Sequence, residues 1–404
     1  MSELLTNGQV IEKIEHVMKE QYLPAFNNMI NTQADPFLAK IAKPKLISDK
    51  IVAAAPFGLN GGFGSGIDGG ATPISGAQAY ENFALNSANM YCNIEISDKT
   101  VELGGKSGAI LDTVHAEIEG GYKAAEWNVG RMMFGNGTGV LTTINNGDGG
   151  AGNNYTKAVG DTKNLIEGLT VDIYENGKTT KATTARIKSV DRVNNKVTFW
   201  TEVNFGEGIG ADGFMTVQNS YNAEVTGIGA IFDDEITTLY GVSKSANPII
   251  KPVVRDAQGD ISDAIIRSAL READRTKNGK VDTLMCGDDA FDAYVEHCKS
   301  YNIRLEASKN EIMGGFKAVS FVFGNREIDM VESKFVPSGE IWGVDSKAFE
   351  FHNVGWDYAR YQGGSIFNLV PNTNYYRALL RNYGNLICKN PGGCVRIHNI
   401  GFGA

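Results

Sequence analysis

The stretch "SGAILDTVHAEIEGGYKAAEWNVGRMMF", residues 107–134, constrains this chain most. Leu111, Val114, Ile118, Tyr122, Ala125, Val129 and Met132 recur at spacings of three and four, which gives one apolar stripe along a single helix. At about 1.5 Å per residue the helix is roughly 40 Å long. Gly120 and Gly121 interrupt it at about 1 kcal/mol each, which marks a bend or a close contact with a neighbour. "GNGTG", residues 135–139, ends it.

The segments around this helix differ in character. Residues 9–30 place Val10, Ile14 and Val17 on one helical face, and Pro24 kinks or ends that helix. "AQAYENFALNSANMYCNIEISDKTVEL", residues 77–103, reads as one or two long strands, with Tyr91, Ile94 and Ile96 in partial alternation. Together with a glycine-rich tip before it, it forms a hairpin-like arm over about residues 50–103. Residues 165–222 alternate apolar and polar at Leu169, Val171, Ile173, Val197 and Phe199, with hairpin turns at Asn176-Gly177 and Asn194-Asn195, and read as a small all-β module. An α/β portion follows. Asp260 is placed as the cap of one helix and Asp288 opens a second, with a buried strand "VDTLMCG" between them and later strands at 318–323, 326–331 and 340–351. The last segment looks like a strand pair turning at Asn390-Pro391-Gly392-Gly393, where Pro then Gly suits a type II turn.

With 404 residues, two or three domains are expected. The 48 glycines are well above the usual share of about 7% and follow no collagen period, so several long bendable loops are expected. The net charge of −9, without a dense Lys/Arg block, argues against direct nucleic-acid binding and adhesion to acidic membranes. The N-terminus shows no signal peptide, and no apolar run approaches the roughly 20 residues that span a bilayer. Five scattered cysteines suit a reducing compartment.

"GLNGGFGSGIDGGATP", residues 58–73, contains Gly64-x-Gly66-x-x-Gly69, the spacing of a dinucleotide-binding turn. Its context fails: Gly70 and Pro73 follow where a helix should hold the phosphates, so a loop tip is expected and no cofactor. "GNGTG" sits at a helix C-terminus, where the dipole repels anions. Cys388 and Cys394 bracket a turn and lack the second ligand pair that zinc requires, so two thiols are expected, with a disulfide as the alternative. His16, His115, His297, His352 and His398 are dispersed, and the acidic clusters Asp233-Asp234-Glu235 and Asp288-Asp289 read as caps or solvated faces. No catalytic, cofactor or metal site is expected.

The order of elements, carried by "NMYCNIEISDKTVEL" running into "GAILDTVHAEIEGGYKAAEWNVGRMMFGNGTGVL" and by the return "GIGAIFDDEITTLYGVSKSANP", resembles the major capsid protein of tailed bacteriophages, the Hong Kong 97-type shell fold that encapsulin nanocompartments also use. The resemblance implies an α+β fold. Its expected parts are an N-terminal arm over 1–49, an extended β loop over 50–105, a spine helix of the peripheral domain over 106–141 and a peripheral return strand over 227–256. An axial domain over 257–370 and C-terminal peripheral strands over 371–404 complete it. The β module at 142–226 looks like an inserted domain.

It implies a homo-oligomer that builds pentamers and hexamers of a closed icosahedral shell in the host bacterial cytoplasm. The shell would enclose double-stranded DNA without sequence-specific binding. A separate scaffolding protein and a portal are expected partners, with no membrane. Phe57, Phe63, Tyr80, Phe83 and Tyr91 are the candidate subunit-interface anchors, since aromatics are enriched at interface cores. No lysine lies between Lys50 and Lys99, so covalent cross-linking at the loop tip is not expected. Rival readings are an encapsulin-like shell, a glycine-rich nucleotide-binding enzyme, and a tail or fibre protein.

Overall fold

The computed structural model describes residues 12, 14–32, 34–56, 62–74, 76, 80–99, 108–145, 155–177, 179–203, 213–301, 318–361 and 364–401. The chain divides into two compact units, one of residues 1–130 with 230–404 and the other of residues 131–229.

The first described helix does not stop at Pro24. It widens into a π-turn over Met18–Tyr22 and continues as α1, Leu23–Thr32. Proline has no N–H to give, and the wider turn absorbs the missing hydrogen bond. Helix α2, Pro36–Lys40, is capped by Asp35, which accepts the Phe37 N–H at 2.8 Å and the Ser333 hydroxyl at 2.7 Å. From the end of α2, Lys40 reaches Asp329 at 2.5 Å and Thr283 at 3.0 Å, so the N-terminal segment is tied to the later sheet by half-buried polar contacts.

Asp35 is 2% exposed. Burial pushes its carboxyl up from 3.8 to about 6, against the lowering effect of Ser333, Phe37 and Lys334. An acid raised on folding favours the folded state when protonated, and that contribution fades as pH rises through about 6. The stability advantage of wild type over Asp35→Asn is therefore expected to fall by about 1 kcal/mol between about pH 5 and about pH 7. Urea melts of the two chains at both pH values measure it. An advantage that stays flat or rises contradicts it.

Strands β1, Lys50–Pro56, and β2, Tyr80–Asn86, pair antiparallel in register from Lys50↔Asn86 to Pro56↔Tyr80. Strand β3 spans Ala88–Ser97. The long helix is α3, Gly108–Phe134, which buries Ile118, Tyr122, Ala125 and Val129. Near its end the buried position moves from Met132, which is half-buried, to Met133 at 0% exposure. The side chains of Leu111 and Val114 lie outside the described residues. Gly120 faces open space, whereas a Cβ on Gly121 would stand 3.3 Å from Ile94, so the close contact belongs to the second glycine alone.

Gly130, further along α3, is tighter still. A Cβ there would stand 2.4 Å from Cε2 and 2.7 Å from Cζ of Phe335. Helix propensity alone favours alanine by about 1 kcal/mol, but a clash with a buried ring costs about 1–3 kcal/mol. Gly130→Ala is therefore expected to destabilise the chain, and Phe335→Leu in the same chain to recover part of the loss. Chemical denaturation measures both. A stabilised Gly130→Ala contradicts the packing.

The unit of residues 131–229 holds β4, Val140–Thr143; β5, Thr156–Ala158; β6, Thr170–Tyr174; β7, Lys181–Asp191; β8, Lys196–Phe199; and β9, Phe214–Val217. They form one sheet in the order β4-β9-β6-β7-β8-β5, with every neighbouring pair antiparallel. Asn195 and Gly177 take φ of +49° and +69° at the two hairpin turns, where the left-handed region is required. Val171, Ile173, Ile187, Val197, Phe199 and Met215 fill the core. Asp172, in β6, is fully buried and accepts from the Thr184 hydroxyl at 2.5 Å and the Asn219 N–H at 2.8 Å.

Helix α4, Gly229–Phe232, begins at the last residue of that unit, and the first unit continues with β10, Thr238–Leu239; β11, Val242–Ser243; and β12, Val253–Gly259. Lys244 is 7% exposed and donates to the carbonyls of Ala230 (2.8 Å), Ile231 (3.0 Å) and Asp233 (2.7 Å), closing the C-terminal end of α4. Helix α5, Asp263–Lys277, is capped by Ser262, not by Asp260, because the Ser262 side chain is the one that accepts the Ile265 N–H. After β13, Thr283–Cys286, helix α6, Asp288–Ser300, has Gly287 at its cap position, so Asp288 opens the first turn without itself capping it. Strands β14, Val319–Phe323, and β15, Arg326–Glu332, follow.

The expected strand at 340–351 is two strands, β16, Ile341–Val344, and β17, Phe349–Asn353, separated by a short turn that Asp345 caps. Next come β18, Asp357–Tyr358; β19, Phe367–Leu369; β20, Tyr375–Cys388; and β21, Val395–Ile400. Strands β20 and β21 are not a pair. The 3-10 turn Pro391–Gly393, in place of a type II turn, carries the chain from one sheet to another.

The six-stranded sheet runs β12-β21-β16-β13-β15-β14, and α5 and α6 bury their inner faces in one core against it. The second sheet centres on β20, which pairs with β3, β17, β18 and β19. β3 matches β20 from Ala88↔Gly384 to Ser97↔Tyr375. It is therefore part of the body, and the free arm is shorter than the expected 50–103.

Candidate subunit interface

The β1–β2 hairpin is built in two parts. Its base lies on its own chain. Ile51, Ala53 and Ala55 are buried while Val52 and Ala54 are exposed, the period-two pattern of a strand with one covered face. Phe83 in β2 is 1% exposed, with its ring centroid 5.5 Å from that of Tyr240. The Ala84 N–H donates to the Tyr240 carbonyl at 2.9 Å. Tyr240 and Gly241 form the two-residue turn between β10 and β11, with φ of +51° and +82°, which aims the Tyr240 ring beneath the hairpin. Phe83 is thus an internal anchor and is withdrawn as an interface residue. Its place on the covered face of β2 depends on a turn more than 150 residues away in sequence.

The tip is the second part. Phe63, Ile67 and Ile74 are 98%, 89% and 91% exposed. Gly70 N–H closes a turn on the Ile67 carbonyl at 2.9 Å, with Gly69 at φ +78°. A Cβ on Gly64 would stand 3.0 Å from Cγ of Pro73, so the two limbs of the tip approach closely. Gly64, Gly66 and Gly69 lie outside any helix or strand, and among the described residues 62–74 no helix begins that could receive a phosphate. The tip is a loop with an apolar exterior.

The remaining candidates separate. Tyr80, at the start of β2, is 59% exposed. Tyr91 is 56% exposed but lies on β3, edge-on to Tyr383 at 6.3 Å, and so belongs to the body sheet. Phe57 lies outside the described residues. Ile67 and Ile74 share the exposed tip with Phe63, and isolated aliphatics among glycines carry no periodic signal in the sequence. Large side chains left uncovered on one reaching element are what an interface needs and what a monomer gains nothing from exposing.

Among the described residues no group of three or more His, Cys, Asp or Glu is placed to hold a metal ion, and no helix is long and apolar enough to cross a membrane. Cys388 and Cys394 are free and buried, and hydrogen bonding with Cys388, reinforced by burial, holds the Cys394 thiol well above its ordinary value. A depression of about 420 Å³ is lined in part by Asp289, Glu340 and His398. Its Glu340 accepts from the Trp342 Nε1–H at 2.7 Å and the Arg396 Nε–H at 2.9 Å, and its Asp289 accepts from the Ser338 hydroxyl.

No protein-family model matches the chain, and no curated protein matches it. Solved structures do. A chain of the cyanophage A-1(L) capsid asymmetric unit is similar at a TM-score of 0.50 and 10% identity, over 94% of this chain and 93% of that one. The satellite phage P4 procapsid that includes the size-determination protein Sid (TM-score 0.43, 11% identity, 95% and 92% covered) is a weaker likeness. So is the holo-SrpI encapsulin complex of Synechococcus elongatus (0.44, 6%, 90% and 88%). With 94% of its length following a phage capsid chain, this is a mixed α+β protein of the Hong Kong 97-type capsid fold.

Proposed function

We propose that this chain is the major capsid protein of a tailed bacteriophage. It assembles as pentamers and hexamers into an icosahedral shell around double-stranded DNA, with a scaffolding protein and a portal as partners. The observation that carries this reading is the end-to-end likeness to a phage capsid chain. The exposed apolar tip of the hairpin agrees with it: Phe63, Ile67 and Ile74 stand almost fully uncovered in the single chain. The net charge of −9 suits a wall that must not adhere to the genome inside it.

Sedimentation velocity and negative-stain microscopy of the expressed chain, alone and with a candidate scaffold, test this. Closed shells or capsomers are expected. A chain that stays a small oligomer under both conditions, and whose melting temperature rises with added nucleotide, is the nucleotide-binding enzyme instead. Shells that carry a packaged enzyme and no DNA in the host point to the encapsulin-like reading.

A further inference from the structure

Helices α5 and α6 lie on the same sheet and share one core, and Tyr294 of α6 donates to Asp263 of α5 at 3.3 Å. Their outer faces carry opposite charge. On α5 the buried residues Ile266, Ala269, Leu270 and Ala273 define the inner face, and Arg271 and Arg275 stand on the opposite side, both exposed. On α6 the buried residues are Ala290, Ala293, Tyr294 and Cys298, and the exposed Asp288, Asp292 and Glu296 stand opposite with Lys299 at the C-terminal end, which leaves that face net acidic.

The flanking charges of α5 are used within the chain. Arg267 pairs with Asp263, Glu272 with Arg255, and Asp274 with Arg326. The outermost ones are not: among the described residues Arg271, Arg275, Asp288, Asp292 and Glu296 form no ion pair. Helix dipoles account for Asp288 in the first turn of α6 and Arg275 in the last turn of α5. They do not account for Arg271, Asp292 or Glu296. Like charges four residues apart, Arg271 with Arg275 and Asp292 with Glu296, cost each helix a few tenths of a kcal/mol.

We infer that these two faces dock on each other between copies of the chain, the Arg271/Arg275 face of α5 on one copy meeting the Asp292/Glu296 face of α6 on the next. The spacing matches. In each helix the charges are four residues apart, about 6 Å, so the two ladders can meet charge for charge. A second copy is the occupant because the chain itself supplies both halves of the complementary pair. This inference rests on the proposed assembly and names one contact within it.

The test is a charge swap in the full-length chain. Arg271→Glu with Arg275→Glu is expected to lower the assembled fraction at least about tenfold at low salt, and so is Asp292→Lys with Glu296→Lys. All four changes together restore assembly to within about threefold of wild type, because the pairing is reversed and not removed. The neutral pair Arg271→Gln with Arg275→Gln falls between. Circular dichroism and thermal melting show that each variant is folded, as exposed positions allow.

Reversals that assemble like wild type overturn the inference, as does a folded fourfold variant that fails to assemble. An arginine reversal that matters only when nucleic acid is added also overturns it, and assigns that face to a polyanion. If wild type forms only a small oligomer, the shell reading fails first, and the same swap read on that oligomer still decides the pairing of the helices.

Discussion

Removing residues 58–73 is expected to leave a chain that folds, stays soluble and closes no shell. The hairpin base keeps its own anchors after such a deletion: the buried Phe83 on Tyr240, and the Ala84 N–H on the Tyr240 carbonyl. Among the described residues of the deleted stretch the large apolar ones, Phe63 and Ile67, are almost fully exposed in the single chain. The melting temperature is therefore expected to stay within a few degrees of wild type. The loss falls on assembly, because a fully buried aromatic or aliphatic side chain stabilises its contact by about 1.5–3 kcal/mol, repeated at every copy of the shell. Negative-stain microscopy and sedimentation velocity read this outcome. Normal particles from the deleted chain contradict the interface role of the tip.

The second large effect lies in the other unit. Arg131 and Glu224 form a two-pronged ion pair at 2.9 and 2.5 Å, with side chains 5% and 3% exposed. Removing one partner leaves the other charge buried and unanswered, which costs about 3–5 kcal/mol. Glu224→Ala is expected to lose that much in urea unfolding followed at this unit. Replacing both residues, as Arg131→Met with Glu224→Leu, is expected to lose less than the single change, because no charge is then stranded. A Glu224→Ala chain within about 1 kcal/mol of wild type contradicts this account of the pair.

What the sequence reveals of this architecture follows from how local each signal is. The long helix is legible because Ile118, Tyr122, Ala125 and Val129 repeat at helical spacing and are buried. The hairpins of the 131–229 unit are legible because Asn-Gly and Asn-Asn turns favour a positive φ that the structure uses at Gly177 and Asn195. Partnership between distant strands is not local. Nothing in residues 88–97 says that they pair with residues 375–384, and nothing around Pro391 says that β20 and β21 enter different sheets. The interface candidates divide along the same line. Exposure of Phe63 follows from glycines on both sides of it, while the burial of Phe83 depends on a Tyr240 turn that no spacing reveals. The cap of α5 shows a smaller version of the same limit. Asp260 and Ser262 are both good caps, and only the backbone path selects Ser262.

Amide hydrogen exchange over residues 62–76, compared between the unassembled chain and the assembled particle, bears most directly on the role of the hairpin. The tip amides are expected to exchange at nearly unprotected rates in the free chain and to slow by at least about a hundredfold once the tip lies over a neighbouring copy. Protection already present in the free chain, or exchange equally fast in a closed particle, contradicts the claim that this element gains its cover from another subunit.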